Sequence, residues 1–197
     1  PSFVAPKAGS PALVVRELPV PTAWVFVSYP LVGNTTNDAA TLRLMAAALG
    51  DSKLARLPNR LLKAKVMGSA PPAITIASQF VPRRYAGELV IYAQTGPQGV
   101  ERVKNALLDE IRKLRDTPLT PAELQSAKLY ARGSWSVERQ ALRDRAFQSA
   151  LSPALGGPVD ASFPARLQLV TAADIQKAAQ NYLKAYAVAL VMPAGDS

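Results

Sequence analysis

The sequence contains no cysteine and no histidine among its 197 residues. Without cysteine, the chain cannot form a disulfide, a thiolate metal site or a cysteine nucleophile. Without histidine, it lacks the imidazole on which catalytic zinc sites usually rely, and it cannot perform serine–histidine catalysis. Carboxylates alone could still hold a hard ion such as calcium or magnesium. We therefore expect no zinc site and no catalytic residues in this chain.

Long hydrophobic runs are also missing, because the longest, such as residues 44–49, fall far short of the roughly 20 residues that cross a bilayer. Hydrophobic residues still make up 49% of the chain, which is enough for the core of one soluble domain. The chain begins at Pro1 without a signal-peptide hydrophobic region, so we expect a piece of a longer protein. For such a bacterial-type protein, the composition fits the periplasm as well as the cytoplasm.

Acidic residues are outnumbered, 14 against 23 lysines and arginines, which leaves a net charge of +9. An excess of this kind favours an acidic partner, an anionic surface or nucleic acid. One basic run places Arg56 and Arg60 on a predicted helix without an acid between them. It is typical either of a site for a substrate carboxylate or phosphate, or of a solvated helix face. Arg56 and Arg60 are thus the candidate substrate-binding residues.

A second basic stripe, formed by Lys128, Arg132, Arg139 and Arg143, flanks Trp135. It suits an extended peptide or a nucleic-acid strand. A single tryptophan among alanines and leucines at helical spacing is more typical of packing, so we expect Trp135 in the core beside Leu142. The adjacent acids Asp109 and Glu110 are expected to face water.

Periodicity and turn residues predict a linker over residues 1–11 and one domain over residues 12–197. Strands are predicted at residues 12–17, 22–29, 73–81, 87–94 and 187–192. Helices are predicted at residues 38–49, 53–65, 97–114, 120–151 and 171–184, with Gly50 as the cap of the first. The sequences Thr120-Pro-Ala-Glu123 and Thr171-Ala-Ala-Asp174 are typical of capping boxes. This order predicts an α+β domain, in which helices cover one face of a mostly antiparallel sheet.

Four stretches carry a resemblance when they are taken together. Residues 38–50 form an aspartate-led helix that ends in Leu-Gly, and residues 55–61 contain Ala-Arg-Leu. Residues 119–128 match the pattern T-x-x-E-L-x-x-A-K, and residues 170–183 match V-T-x-x-D-I…A-x-x-Y-L. In this order and spacing they resemble the C-terminal domain of the pitrilysin/insulinase family of zinc metallopeptidases, which includes the mitochondrial processing peptidases.

The resemblance implies a mitochondrial processing peptidase/LuxS-like metallohydrolase fold and a function in proteolysis. In that family an N-terminal domain carries an H-x-x-E-H zinc motif and a distant glutamate, whereas the C-terminal domain binds no metal. Zinc is therefore expected only in an N-terminal domain outside this chain. The implied partner is that domain or a homologous zinc-bearing subunit, with which the chain would form half of a clamshell around a peptide substrate.

Many family members also place an arginine and a tyrosine, seven residues apart, into the active site from the C-terminal domain. The resemblance assigns those positions to Leu62 and Ser69, where leucine offers no donor and serine is too short to replace a phenol. The pair is thus predicted to be missing, and a shift that selects Arg60 would still supply no tyrosine. The alternative function, which rests on charge alone, is a basic binding module for nucleic acid or an anionic partner.

Overall fold

The structure is a computed structural model, and it describes residues 12–33, 38–63, 71–84, 86–154 and 162–194. The strands are β1 (Ala12–Leu18), β2 (Ala23–Val32), β3 (Thr75–Val81), β4 (Ala86–Thr95) and β5 (Ala187–Pro193). The helices are α1 (Ala39–Ala46), α2 (Arg56–Leu61), α3 (Val100–Asp116), α4 (Pro121–Val137), α5 (Leu142–Ala154), α6 (Phe163–Leu169) and α7 (Ala172–Tyr182). The predicted linker lies outside the described residues, and the predicted domain bounds stay a prediction.

The five strands form one sheet in the order β1-β5-β2-β4-β3. Only β1 and β5 are parallel, and the other three pairs are antiparallel. The α+β class with a mostly antiparallel sheet is therefore confirmed. Within the described ranges, no helix is long and apolar enough to cross a membrane.

The sheet has two unlike faces, because successive side chains of a strand point in opposite directions. Val25 and Val27 of β2 and Leu89 and Ile91 of β4 are fully buried beneath the helices. We call this side the covered face. Their neighbours along the strands point to the other side, which we call the open face. The helices α1, α2, α3 and α7 contact the strands, and the main core lies between them and the covered face.

The first helix ends differently from the prediction for Gly50. After α1 the chain continues through a π-helical turn, Ala47–Asp51, which includes this glycine in a conformation open to any residue. A Cβ at position 50 would lie 3.0 Å from the backbone nitrogen of Ser78, and the Ser78 hydroxyl donates a 2.6 Å hydrogen bond to the Ala46 carbonyl. Glycine is needed here because the turn packs directly on β3, and it does not serve as a left-handed cap.

The predicted helix over residues 120–151 is interrupted. The helix α4 ends at Val137, and Arg139 and Gln140 then make tighter backbone bonds to residues three positions before them. Glu138 at this point accepts a 2.5 Å bond from Arg43 of α1, which ties the end of α4 to the helical layer. No glycine or proline marks the break, which is why the sequence did not predict it.

Candidate functional site: a charged groove and an open sheet face

The two candidate arginines lie together in one groove between α2, α3 and α4. Its volume is about 520 Å³. It is lined by Arg56, Asn59, Arg60, Glu110, Lys113, Thr117 and Glu123. We call this region the charged groove.

Arg56 forms a two-pronged ion pair with Glu123. Its Nε lies 2.7 Å from Oε1 of the glutamate and its Nη2 lies 3.1 Å from Oε2. Glu123 also accepts the backbone N–H of Thr120 at 2.8 Å, so it completes the capping box at the start of α4. The Arg56 guanidinium, with help from Thr120, lowers the pKa of Glu123 to about 2. One carboxylate therefore caps α4 and fastens it to α2.

Arg60 is held in the same manner against α3. Its Nη1 donates to Glu110 at 2.7 Å and to the Ala106 carbonyl at 3.3 Å. Lys113 reaches the same Glu110 oxygen at 3.0 Å. The expectation that Asp109 and Glu110 both face water is wrong for Glu110, which is buried. Glu110 is on the side of α3 that faces α2, where two cations compensate its burial.

These contacts decide what the charged groove can do. Arg56 and Arg60 both already donate hydrogen bonds to carboxylates and carbonyls of this chain, so a substrate anion would compete with internal ion pairs. The sequence supplies no histidine or cysteine. Among the described residues, no group of three or more potential metal ligands comes together. The ion pairs of the charged groove hold three helices together, and a role of Arg56 and Arg60 in binding a substrate stays a prediction.

The family's arginine and tyrosine were assigned to positions 62 and 69, and the structure describes one of these two positions. Leu62 caps the C-terminal end of α2 and packs at the margin of the core. Ser69 lies outside the described residues. The assignment of these positions therefore stays a prediction.

Two further polar contacts, outside the charged groove, join distant helical segments. The Tyr182 hydroxyl, at the end of α7, donates to Asp38 at the start of α1, at 2.5 Å. Burial, reinforced by this carboxylate, raises the pKa of Tyr182 to about 12. The Tyr130 hydroxyl donates to Asp51 at 3.2 Å, and burial raises the pKa of Asp51. The first contact joins the ends of α7 and α1, and the second joins the middle of α4 to the end of the π-helical turn.

The open face carries a row of apolar side chains straight across the sheet. The register places Val14, Ala189, Phe26, Tyr92 and Ala77 side by side on β1, β5, β2, β4 and β3. Trp24 extends the row, with its ring centre 6.1 Å from that of Phe26 and 6.3 Å from that of Tyr92. These three rings are outside the main core. They form a half-buried aromatic cluster that no described helix covers.

The expectation that Trp135 belongs to the core is wrong. Trp135 is half-buried, and the Arg139 guanidinium lies 4.2 Å from its ring centre. Leu142, its expected neighbour, is exposed on α5. Because α4 ends at Val137 and α5 begins at Leu142, the apolar spacing of one continuous helix is not realised.

Sequence reasoning missed the open face, although a signal was present. In β2, Ala23, Val25 and Val27 alternate with Trp24 and Phe26, so both faces of the strand are apolar. That pattern is typical of strands buried on both faces. It could have indicated that the open face of the sheet also packs against another surface.

Comparisons with known proteins agree with this geometry. The family model described as the peptidase M16 inactive domain matches residues 1–130. No curated protein sequence matches the chain.

Several solved structures share the fold. A protease from Helicobacter pylori has a TM-score of 0.83 at 18% identity, over 95% of this chain and 45% of its own. A peptidase M16 inactive domain from Pseudomonas fluorescens has a TM-score of 0.80 at 18% identity, over 94% of this chain and 44% of its own. The inactive peptidase domain of a candidate zinc protease from Bordetella parapertussis has a TM-score of 0.73 at 20% identity, over 91% of this chain and 96% of its own.

Proposed function

Because the chain belongs to the peptidase M16 inactive-domain family, as its resemblance to the pitrilysin/insulinase peptidases predicts, we propose that it is the non-catalytic half of a zinc metallopeptidase. In this proposal it closes with a zinc-bearing half around a peptide. The zinc-bearing half is an N-terminal domain of the same protein or a homologous subunit. The chain then contributes shape and support, and zinc chemistry is confined to its partner.

The proposal rests on the fraction of each related solved structure that this chain matches. It spans less than half of the Helicobacter pylori and Pseudomonas fluorescens chains, while almost all of it is matched. Those chains therefore have room for a second body of similar size. The absence of histidine and cysteine from this chain supports placing the metal ligands on that second body.

The open face is the surface that we propose for contact with the zinc-bearing half. Strands about 4.8 Å apart, with alternate residues about 6.6 Å apart, give a five-stranded face of roughly 20 Å by 20 Å. Burial of some 400 Å² on each side falls within the roughly 600 to 1,500 Å² total of inter-domain contacts. In a chain of net charge +9, the row from Val14 to Ala77 contains no charged residue. Arg16 of β1 and Glu88 of β4 lie on the same face outside this row, so the central row is the part of the face that suits apolar packing.

The predicted loss of the arginine–tyrosine pair affects whether the parent protein could be an active peptidase. With Leu62 and Ser69 at those positions, this half would donate no hydrogen bond to a peptide carbonyl or a developing oxyanion. An active parent would then need donors from another chain, as in a heterodimer in which one subunit brings zinc and the other brings the pair. The same loss would suit a homologue kept only for its shape.

The experiment is to produce the zinc-bearing half and this chain separately and to mix them. We expect calorimetry to find no tight zinc site on this chain and sedimentation to find a one-to-one complex. Phe26→Glu should abolish the complex, because it places a charge in the apolar row. Leu54→Glu is the matched control, since Leu54 is exposed away from the open face. A micromolar zinc site on this chain, or a complex that tolerates Phe26→Glu, would overturn the proposal.

A second measurement tests the lost pair. In the zinc-loaded complex, Leu62→Arg combined with Ser69→Tyr should raise peptide hydrolysis while the zinc content stays constant. Unchanged hydrolysis would count against the assignment of these two positions, and it would leave the complex itself untouched.

A further inference from the structure

The strand β1 at one margin of the sheet is far more open than the strand at the other margin. All seven of its residues are exposed, including the apolar Leu13 (59%), Val14 (43%) and Val15 (47%). The opposite edge strand, β3, lies against α1, α2 and the π-helical turn, and its Ile76 and Ser78 are buried. Lysine, proline or a bulge commonly protects an open edge strand. None of the three occurs in β1, which pairs with β5 without interruption.

The backbone of β1 points alternately toward β5 and away from the sheet. The Ala12 N–H donates to the Tyr186 carbonyl at 3.3 Å, and the Leu18 carbonyl accepts the Ala194 N–H at 2.8 Å. In a parallel pair every second residue turns both its N–H and its C=O toward the partner strand. The even-numbered residues of β1 therefore bond to β5. The odd-numbered residues turn their N–H and C=O groups outward, where the described part of the chain has no further strand.

These outward groups suit a strand as their occupant. One of them, the Val15 carbonyl, accepts a 2.9 Å hydrogen bond from the Arg16 side chain. Because both groups are exposed, a backbone N–H can replace this bond at little net cost. An added strand brings evenly spaced donors and acceptors to about 4.8 Å from β1, which is the arrangement that an open sheet edge lacks.

The sequence of β1 allows a second copy to pair with it along its whole length. With antiparallel strands and a two-fold axis at Val15, Leu13 of each copy lies opposite Glu17 of the other. On the other face of the sheet, Val14 lies opposite Arg16. All of β1 is then paired, and the outward residues exchange both of their backbone bonds. An axis at Arg16 or at Glu17 would instead set like charges opposite each other, which is destabilising.

We propose that two copies of this chain join through antiparallel pairing of their β1 strands, so that two five-stranded sheets become one. In the register centred on Val15, paired residues point to the same side, so the two open faces lie side by side. On the helical side, Leu13 and Val15 are open to water, which leaves room for the second copy. The contact is about 24 Å long and small for a permanent dimer, so the association is reversible. It uses a strand edge and is independent of the proposed function of the open face.

Sedimentation equilibrium of the full chain measures this association. At up to about 500 µM we expect a monomer–dimer equilibrium with a Kd of about 10–100 µM. Val15→Pro removes an outward N–H that β5 does not use, so it should weaken the dimer at least ten-fold. Val15→Thr keeps the N–H and the strand propensity, and its Kd should stay within about three-fold. Circular dichroism should be the same for all three proteins. A monomeric parent, or normal dimerisation of Val15→Pro, would overturn the proposal.

Disulfide trapping tests the register, because the chain has no cysteine of its own. The two copies of Val15 face each other with Cα atoms about 5.5 Å apart, which is within reach of a disulfide. Val15→Cys should therefore give a covalent dimer on mild oxidation. Leu13→Cys alone should not, since its copies lie about 14 Å apart, but it should cross-link when mixed with Glu17→Cys. Equal cross-linking of Leu13→Cys alone would contradict the register.

A shortened chain tests whether another segment of the same molecule takes the edge. Residues 1–11 lie outside the described residues, and a variant that begins at Ala12 lacks them. We expect this variant to dimerise with the Kd of the full chain. If the shortened chain dimerises and the full chain does not, residues 1–11 occupy the edge of β1 and the proposal is wrong.

Discussion

Both faces of the sheet carry apolar side chains, and the two faces differ in what covers them. On the covered face, Val27, Leu89 and Ile91 are sealed by helices of the same chain. On the open face, Phe26 and Tyr92 are only half-buried, mainly by one another. The difference teaches that hydrophobic content alone does not tell which part of a fold is its core. The covered face should determine stability, and the open face should determine association.

The largest effect on stability is expected from a comparison of two neighbouring residues of β4. Leu89→Ala should lower the free energy of unfolding by about 2–5 kcal/mol, because it leaves a cavity under the helices. Val90→Ala, one residue along β4 but on the open face, should cost less than about 1 kcal/mol. Urea denaturation followed by circular dichroism measures both. Equal losses would show that the open face is packed as tightly as the core in the isolated chain.

A smaller effect is expected where the covered face meets the π-helical turn. Gly50→Ala should destabilise by about 1–3 kcal/mol, because the new Cβ would press on the Ser78 backbone. Gly133→Ala is the control, since a Cβ there meets nothing within 4 Å. That change, inside α4, should stabilise by roughly 0.5–1 kcal/mol. The thermal midpoints should therefore move in opposite directions, and a shared sign would contradict the close packing at position 50.

The smallest effect concerns the charged groove, which fastens the helices from outside the core. The pKa of Glu123 is lowered from 4.5 to about 2, so its carboxylate stabilises the fold above about pH 4.5. That contribution is lost as the pH falls toward 2. Glu123→Gln should cost about 1 kcal/mol at neutral pH, since the pair is partly exposed.

The variant should also lose less stability than the parent between neutral pH and pH values near 3. Glu101→Gln, which alters an exposed ion pair with Lys104, is the comparison. The acid unfolding curves of the Glu123 variant and the parent should therefore differ in slope. If they run parallel, the Arg56–Glu123 ion pair contributes nothing measurable to stability.

Features that depend on neighbouring residues could be predicted from the sequence. The capping boxes at Thr120 and Thr171 are present as predicted, because each is complete within four residues. The strands were predicted nearly to their ends, since β-branched and aromatic residues mark them. The alternation in β2 also fixes which residues share a face, although it does not say which face the helices cover.

Features that join distant residues could not be predicted in this way. The burial of Glu110 depends on Arg60, which approaches only because α2 crosses α3. The exposure of Leu142 depends on a break in the helix at Glu138, where Arg43 of α1 intervenes. In both cases the local sequence is compatible with either outcome, and tertiary contacts select one.

The position of β1 has a consequence for how the chain acquires its structure during synthesis. Among the described strands, β1 is made first and contacts the sheet only through β5, which is made last, with Ala12 opposite Ala187 and Leu18 opposite Pro193. Until residues 187–193 emerge, β1 has no described partner strand, so this part of the sheet must form after nearly all of residues 12–193 have been translated. Such long-range pairing folds slowly, and an unpaired apolar strand that waits this long is the segment a chaperone would need to shield.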